Sequence, residues 1–308
     1  MPIVADPVNI TESVPLRHAL SFDIEDWFHI VDIASTSDPS GWERLPSIVE
    51  RETHRILDLL AETSVHATFF FLGWIAERYP ALVDRVVREG HEIGTHSFWH
   101  QRVYELAPDT FYEDLVDSIE VVQQQAGVNV RGFRAPSFSI TPGCEWAFEM
   151  IAKAGLAYDA SLFPARRAHG GYPCPPAPHC RLTKENGALA ELPMSTMSIG
   201  PKTLCYSGGG YFRLLPLRLI EHGIQQNANL GRPTVIYLHP RDFAEDCPVL
   251  PMPWHRRFKS YYGRASTEPK LRKLLSRYSF GSCWEVLQDQ GLLPSKAPVA
   301  AHTPSIDA

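Results

Sequence analysis

His96 and His100 stand four residues apart in the stretch Gly90-His91-Glu92-Ile93-Gly94-Thr95-His96-Ser97-Phe98-Trp99-His100. On a helical turn that spacing sets two imidazoles on one side, within reach of one metal ion. Upstream lies the acidic cluster Asp23-Ile24-Glu25-Asp26. Two histidines and one carboxylate make a hydrolytic metal site that leaves room for water and substrate. A His-x-x-x-His pair by itself is also an ordinary surface pattern, so its surroundings must carry the argument.

Hydrolysis at such a site needs a base for the attacking water and an acid for the leaving group. Asp23 and its neighbours supply carboxylates, and His239 supplies a second group of a type that titrates near neutral pH. Arg134 is placed to pair with a carboxylate and favour its charged form, or to form a structural salt bridge. Asp159 is placed to orient His239, or to cap the turn Asp159-Ala160-Ser161. The set suits metal-assisted hydrolysis of an amide or ester. There is no Gly-x-Ser-x-Gly motif and no phosphate loop. The stretch Ser207-Gly208-Gly209-Gly210-Tyr211-Phe212 reads as a tight loop beside a substrate groove.

The elements that must position these residues follow from pattern. Residues 18–24 read as a strand ending in acids, and Ser47 caps a helix through Thr63. Residues 66–72 form a short, wholly apolar strand of the type buried on both faces. Pro80 opens a helix to Arg88 that Gly90 stops, and 92–94 is a strand delivering His96. A helix over 109–126, a strand end at 132–134, a helix from Pro142 to Gly155, a strand at 157–159 and an apolar strand at 234–238 follow. Alternating strands and helices predict a mostly parallel sheet or barrel. Asp23, His96, Arg134, Asp159 and His239 then fall at or just past the C-terminal ends of strands, where parallel α/β folds place their sites.

The whole chain sets the bounds. Its 308 residues, 44% hydrophobic and 21% charged, suit one large globular domain or a domain with an appendage. A net charge of −6 without a basic run argues against a nucleic-acid partner. No apolar run long enough for a membrane span occurs, and the first residues lack a basic-then-apolar leader, so a cytoplasmic protein is expected. The six cysteines, at 144, 174, 180, 205, 247 and 283, form no Cys-x-x-Cys pair and read as mostly free thiols. Cys174 and Cys180 share a proline-rich loop, and the tail after Leu293 reads as disordered. Domain boundaries are expected as an N-terminal extension over 1–17, a catalytic domain over 18–245, a packed C-terminal extension over 246–292 and the tail.

The order of motifs resembles the polysaccharide deacetylases of carbohydrate esterase family four, relatives of chitooligosaccharide deacetylase. Ser21-Phe22-Asp23-Ile24-Glu25-Asp26 resembles the first motif. Ala67-Thr68-Phe69-Phe70, Gly90-His91-Glu92-Ile93-Gly94 and His96-Ser97-Phe98-Trp99-His100 resemble the second. Gly132-Phe133-Arg134-Ala135-Pro136 resembles the third, Asp159-Ala160-Ser161 the fourth and Tyr237-Leu238-His239 the fifth. Residues 207–213 and 254–288 further resemble the subgroup tied to exosortase-linked exopolysaccharide loci. The resemblance implies an α/β fold, a distorted (β/α) barrel, binding Zn²⁺ or another divalent ion such as Co²⁺ or Ni²⁺. It implies Asp23 as general base, His239 as general acid, Arg134 holding Asp23 and Asp159 tuning His239. The implied partner is an N-acetylated sugar polymer or oligomer, which loses acetate.

Two departures stand out. Asp-x-Glu-Asp replaces the family's adjacent aspartates, so the metal carboxylate is either Asp26 or Glu25. Strand alternation sets Glu25 on the side of Asp23, whereas Asp26 has the shorter side chain usual for the ligand. Ser137 stands where the family often has Tyr, leaving its backbone N–H for an oxyanion. Trp27, Phe28, Trp99, Tyr211 and Trp254 are candidate sugar platforms. Two other functions fit the same residues. One is a hydrolase of a small cyclic amide or ureide, marked by a closed, arginine-rich pocket. The other is a sugar-binding protein with a decayed site.

Overall fold

A computed structural model describes residues 15–165 and 170–293. The expected tail lies outside these residues apart from Leu293, as does most of the N-terminal extension. Eleven strands occur among the described residues: β1 (His18–Ile24), β2 (Thr68–Phe71), β3 (Glu92–Thr95), β4 (Gly132–Phe133), β5 (Tyr158–Asp159), β6 (His179–Leu182), β7 (Ala188–Glu191), β8 (Thr196–Ile199), β9 (Lys202–Cys205), β10 (Val235–Leu238) and β11 (Phe280–Gly281). The helices are α1 (Val49–Thr63), α2 (Gly73–Arg78), α3 (Pro80–Arg88), α4 (Pro108–Ala126), α5 (Trp146–Lys153), α6 (Gly209–Leu214), α7 (Leu217–Ala228), α8 (Trp254–Tyr261), α9 (Thr267–Leu275) and α10 (Cys283–Asp289).

The main sheet runs β10-β1-β2-β3-β4-β5-β7-β6, with β11 also paired to β1. Every pair in it is parallel except β6 with β7. It curls into a half-barrel, the mostly parallel sheet that alternation predicts in the form of the distorted barrel that the resemblance implies. β8 and β9 form a separate antiparallel hairpin. No helix among the described residues is long and apolar enough to cross a membrane.

Strand alternation sorts β1 cleanly. Leu20, Phe22 and Ile24 join the larger core, which includes Ile56, Leu57 and Leu60 of α1. Ala19 joins the smaller inner cluster with Phe70, Tyr158 and Tyr237. Ser21 and Asp23 therefore face inward with Ala19, and period-two geometry carries Glu25 to the same side. Both faces of β1 and β2 are buried, which explains the wholly apolar run read at 66–72 around β2.

Close approach dictates glycine at two positions near the site. A Cβ on Gly94 would stand 2.5 Å from the Phe70 ring, and one on Gly208 would stand 1.9 Å from the Tyr237 ring. The helix expected from Pro142 begins only at Trp146, because Gly143 sits at φ +98° in a turn ahead of it. The glycine-rich segment expected as a loop is the helix α6 from Gly209 onward.

Candidate active site

Three side chains bring potential ligand atoms within 4.8 Å of one another: Glu25, His96 and His100, all buried. Glu25 follows β1 and His96 follows β3, so two parallel strands set the pair. The segment from His96 to His100 is not the helical turn that its spacing suggests. Ser97 and His100 take left-handed backbone angles, φ +69° and +56°, and the His100 N–H is held by Ser97 Oγ at 3.1 Å. A loop, not a helix face, brings the two rings to 5.2 Å. Asp114 of α4 braces this loop by accepting from the Phe98 and Trp99 N–H groups.

The electrostatics suit a cation. His96 Nδ1 lies 2.6 Å from the Arg134 carbonyl, which fixes the tautomer with Nδ1–H donating and leaves Nε2 as a lone pair. Burial lowers the His96 pKa to about 4, so the ring is neutral. Burial also opposes ionisation of Glu25, but the charges of His100 and Arg241 outweigh it and hold the carboxyl well below its usual range. Glu25 Oε2 faces His100 Nε2 yet has no well-formed hydrogen bond. A buried, unsatisfied carboxylate oxygen beside two imidazoles is the donor set that a divalent ion completes. These residues fit Zn²⁺ or a similar ion, although their chemistry does not select among Zn²⁺, Co²⁺ and Ni²⁺.

Asp26 does not join this group; of the two carboxylates left open by the sequence, Glu25 is the one brought to the histidines. One residue beyond Glu25, Asp26 points to the outer side. There its oxygens accept from the Trp27 N–H, Ser47 Oγ and the Ile48 and Val49 N–H groups, at 2.5–3.3 Å. It thus satisfies the donors at the start of α1, a task on which both oxygens are engaged. Its backbone N–H donates to His29 Nδ1, and the other ring nitrogen, Nε2, is buried without a partner at the cavity wall.

Arg134, fully buried, donates through Nη1 to Asp23 Oδ1 at 2.7 Å and to Ser21 Oγ at 2.8 Å. Its guanidinium lies over the Phe70 ring at 4.3 Å, which fixes its plane. Asp23 Oδ2 remains directed to the cavity, 3.8 Å from His239 Nε2. His239 Nε2 is also 3.6 Å from Glu25 Oε1.

His239 is oriented by Asp242, not by Asp159. Its Nδ1 and its backbone N–H both lie 2.9 Å from Asp242 Oδ2. Burial works against the Asp242 charge, but Arg213 and the His239 contact hold its carboxyl well below the usual range. Asp159 instead accepts from the Ser161 N–H and hydroxyl, and Ser161 Oγ accepts from the Ala135 N–H at 2.7 Å. It therefore braces the turn that carries Arg134. Burial raises the Asp159 pKa to about 6, and burial together with the Asp159 charge raises Glu191 well above its range.

These groups share a cavity of about 670 Å³ lined by Asp23, Glu25, His96, His100, Ser137, Tyr211 and His239, among others. Ser137 lies in it at φ +57°, a strained backbone angle of the sort that clusters at functional sites. Tyr211 lies at its wall. Trp27 does not line it: it is buried, with Nε1 donating to the Pro46 carbonyl at 2.8 Å. Trp99 is also outside the lining, packed on Phe98 and facing Trp42. Both are corrections to the expected sugar platforms. Sequence reasoning passed over Asp242, although its place three residues after His239 was the available signal. It also passed over His29, Arg213 and Arg241, which no spacing marks. The six cysteines are free.

A family model for Polysaccharide deacetylase matches residues 38–154, and one for a Domain of unknown function (DUF3473) matches 160–288. The first match contains His96, His100 and Arg134, the second His239, Arg241 and Asp242; the carboxylates at the end of β1 precede both. A peptidoglycan-N-acetylglucosamine deacetylase of Bacillus cereus is 35% identical over 98 residues, covering 32% of this chain and 36% of that protein. A chitooligosaccharide deacetylase of Bradyrhizobium sp. is 30% identical over 109 residues, covering 34% and 47%. The chain spans about a third of the length of the first curated relatives that it matches. A crystal structure of a candidate polysaccharide deacetylase from Mycobacterium smegmatis shares the fold, with TM-score 0.62 and 22% identity over 95% of this chain and 97% of that one. Residues 38–154 thus match the polysaccharide deacetylase domain, and the chain as a whole shares the fold of the Mycobacterium smegmatis structure.

Proposed function

We propose that the protein is a metal-dependent hydrolase that removes N-acetyl groups from an N-acetylated polysaccharide or oligosaccharide. The observation that carries this reading is one cavity in which the Glu25–His96–His100 cluster lies between an arginine-clamped carboxylate, Asp23, and an aspartate-oriented imidazole, His239. Glu25, His96 and His100 would hold a divalent ion, which would supply Lewis acidity for the acetamide carbonyl and the attacking water. Asp23, held by Arg134, takes the proton of that water through Oδ2. His239, whose Nδ1 is engaged by Asp242, delivers a proton from Nε2 to the amide nitrogen as the C–N bond breaks. The products are acetate and a free amino sugar. The Ser137 backbone N–H is the proposed donor to the developing oxyanion.

The resemblance of residues 207–213 and 254–288 to proteins of exopolysaccharide loci supports a substrate that is an exopolysaccharide in the making. A ureide hydrolase would share the arginines around the cavity. Here Arg213 pairs with Asp242 and Arg241 with Glu25, which leaves neither for a small substrate. The test is acetate release from N-acetylglucosamine oligosaccharides by the zinc-loaded protein and by Asp23→Asn. Release by the wild type, lost in a variant that keeps its metal, supports the reading. No release from the zinc-loaded wild type overturns it.

A further inference from the structure

α8 stands over the cavity mouth, with His255, Arg256, Lys259 and Ser260 in the lining. Its sequence, Trp-His-Arg-Arg-Phe-Lys-Ser-Tyr, has three full cations and no acid, in a chain whose net charge is −6. None of its residues is buried. Deeper in the cavity the charges are matched: Arg134 with Asp23, Arg241 with Glu25, and Arg213 with Asp242. The α8 cations have no such match among the described residues. Arg256 donates only to the backbone carbonyls of Val31 and Asp32. Lys259 Nζ lies 4.6 Å over the Tyr211 ring and 3.4 Å from its hydroxyl. Both cations are held in place, and neither forms a carboxylate salt bridge among the described residues.

The same helix displays aromatic surface. Trp254 is 80% exposed, and Phe258 and Tyr262 stack on each other at 4.7 Å while remaining largely open to solvent. Exposed rings beside fixed cations are the pairing that binds a sugar through its apolar face and its charge together. The wall is also mechanically tied to the site. Arg213 reaches the Lys259 and Ser260 carbonyls at 2.9 and 2.7 Å while its Nε lies 3.2 Å from Asp242, the residue that orients His239.

We infer that α8 selects an acidic glycan: a chain in which a sugar bearing a carboxylate neighbours the N-acetylated sugar to be processed, with Arg256 and Lys259 receiving the carboxylate. The inference rests on the deacetylase reading and deepens it. Its test compares an oligosaccharide alternating N-acetylglucosamine and glucuronate with a neutral N-acetylglucosamine oligosaccharide of equal length, using the zinc-loaded full chain. The expected result is a kcat/KM ratio favouring the acidic substrate by about tenfold at low salt, reduced in the double variant Arg256→Gln, Lys259→Met. The ratio should also shrink for the wild type near about 0.5 M salt, a readout that needs no variant to fold. Equal handling of the two substrates by the wild type, or a preference that survives both the double variant and salt, overturns the inference. Binding to metal-loaded Asp23→Asn separates the two readings. Selective binding of the acidic oligosaccharide without any turnover by the wild type keeps the inference and sinks the deacetylase. Turnover without selectivity does the reverse.

Discussion

The two walls of the cavity meet between Glu25 and His239, 3.6 Å apart, and handle burial in opposite ways. The wall built on β1 and β3 gathers the three potential metal ligands. His96 is neutral because burial penalises its charge, and Glu25 Oε2 faces His100 without a well-formed hydrogen bond. The wall built on β10 keeps a proton in place. Asp242, kept ionised by Arg213, accepts from the His239 ring and leaves Nε2 facing the cavity. A neutral imidazole beside an ionised carboxylate suits a cation, and a ring anchored at one nitrogen suits proton delivery from the other. The contrast is what supports the proposed division of the three histidines into two ligands and one acid.

The sharpest way to break this division is Asp23→Asn. It removes the base between the walls, and acetate release should fall about a thousandfold while zinc content stays at the wild-type level. Asp242→Asn strikes the proton-holding wall alone. Turnover should drop roughly a hundredfold and the alkaline limb of the pH–rate profile should move, whereas Asp159→Asn should leave that limb in place. An equal shift of the limb in both variants would return the orienting role to Asp159.

How much of this division the amino-acid pattern already carried varies along β1. Alternation placed Asp23 and Glu25 on one side, and the apolar runs around β2 and β10 announced buried parallel strands. The choice between Glu25 and Asp26 was not legible, because it turns on the donors of α1 that arrive from Ser47, Ile48 and Val49. The C-terminal wall was harder still. β6 to β9 are four residues each, with mixed burial in β6 and β9, too short for periodicity to show. α8 has no fully buried residue, and its aromatic stripe, Trp254, Phe258 and Tyr261, is set among three cations. Trp27 and Trp99 have the residue type of sugar platforms but serve packing, a distinction that composition does not make.

Smaller effects sharpen the picture. Asp26→Asn should cost roughly 2 kcal/mol of stability in urea unfolding, since one acceptor becomes a donor facing the N–H groups that begin α1. The Asp159–Glu191 pair gives a subtler signal. Burial raises both carboxyls, Asp159 to about 6, so the folded chain holds a proton that the unfolded chain has released. The pair's contribution is therefore full at low pH and lost as the pH rises through about 6. Glu191→Gln should gain on the wild type by roughly 1 kcal/mol between about pH 5 and pH 7, measured as the difference in unfolding free energy. A constant difference across that range would remove the shared proton from the account.

Glu25, and not Asp26, is the carboxylate of the proposed metal site with His96 and His100. Calorimetric titration of the metal-free protein with Zn²⁺ tests it directly, using wild type, Glu25→Gln and Asp26→Asn, each checked for folding by its melting curve. The account predicts one Zn²⁺ per chain for the wild type and for Asp26→Asn. It predicts an affinity lowered about a hundredfold or more for Glu25→Gln. A folded Asp26→Asn that no longer binds zinc, beside a Glu25→Gln that binds it at wild-type affinity, would contradict the account.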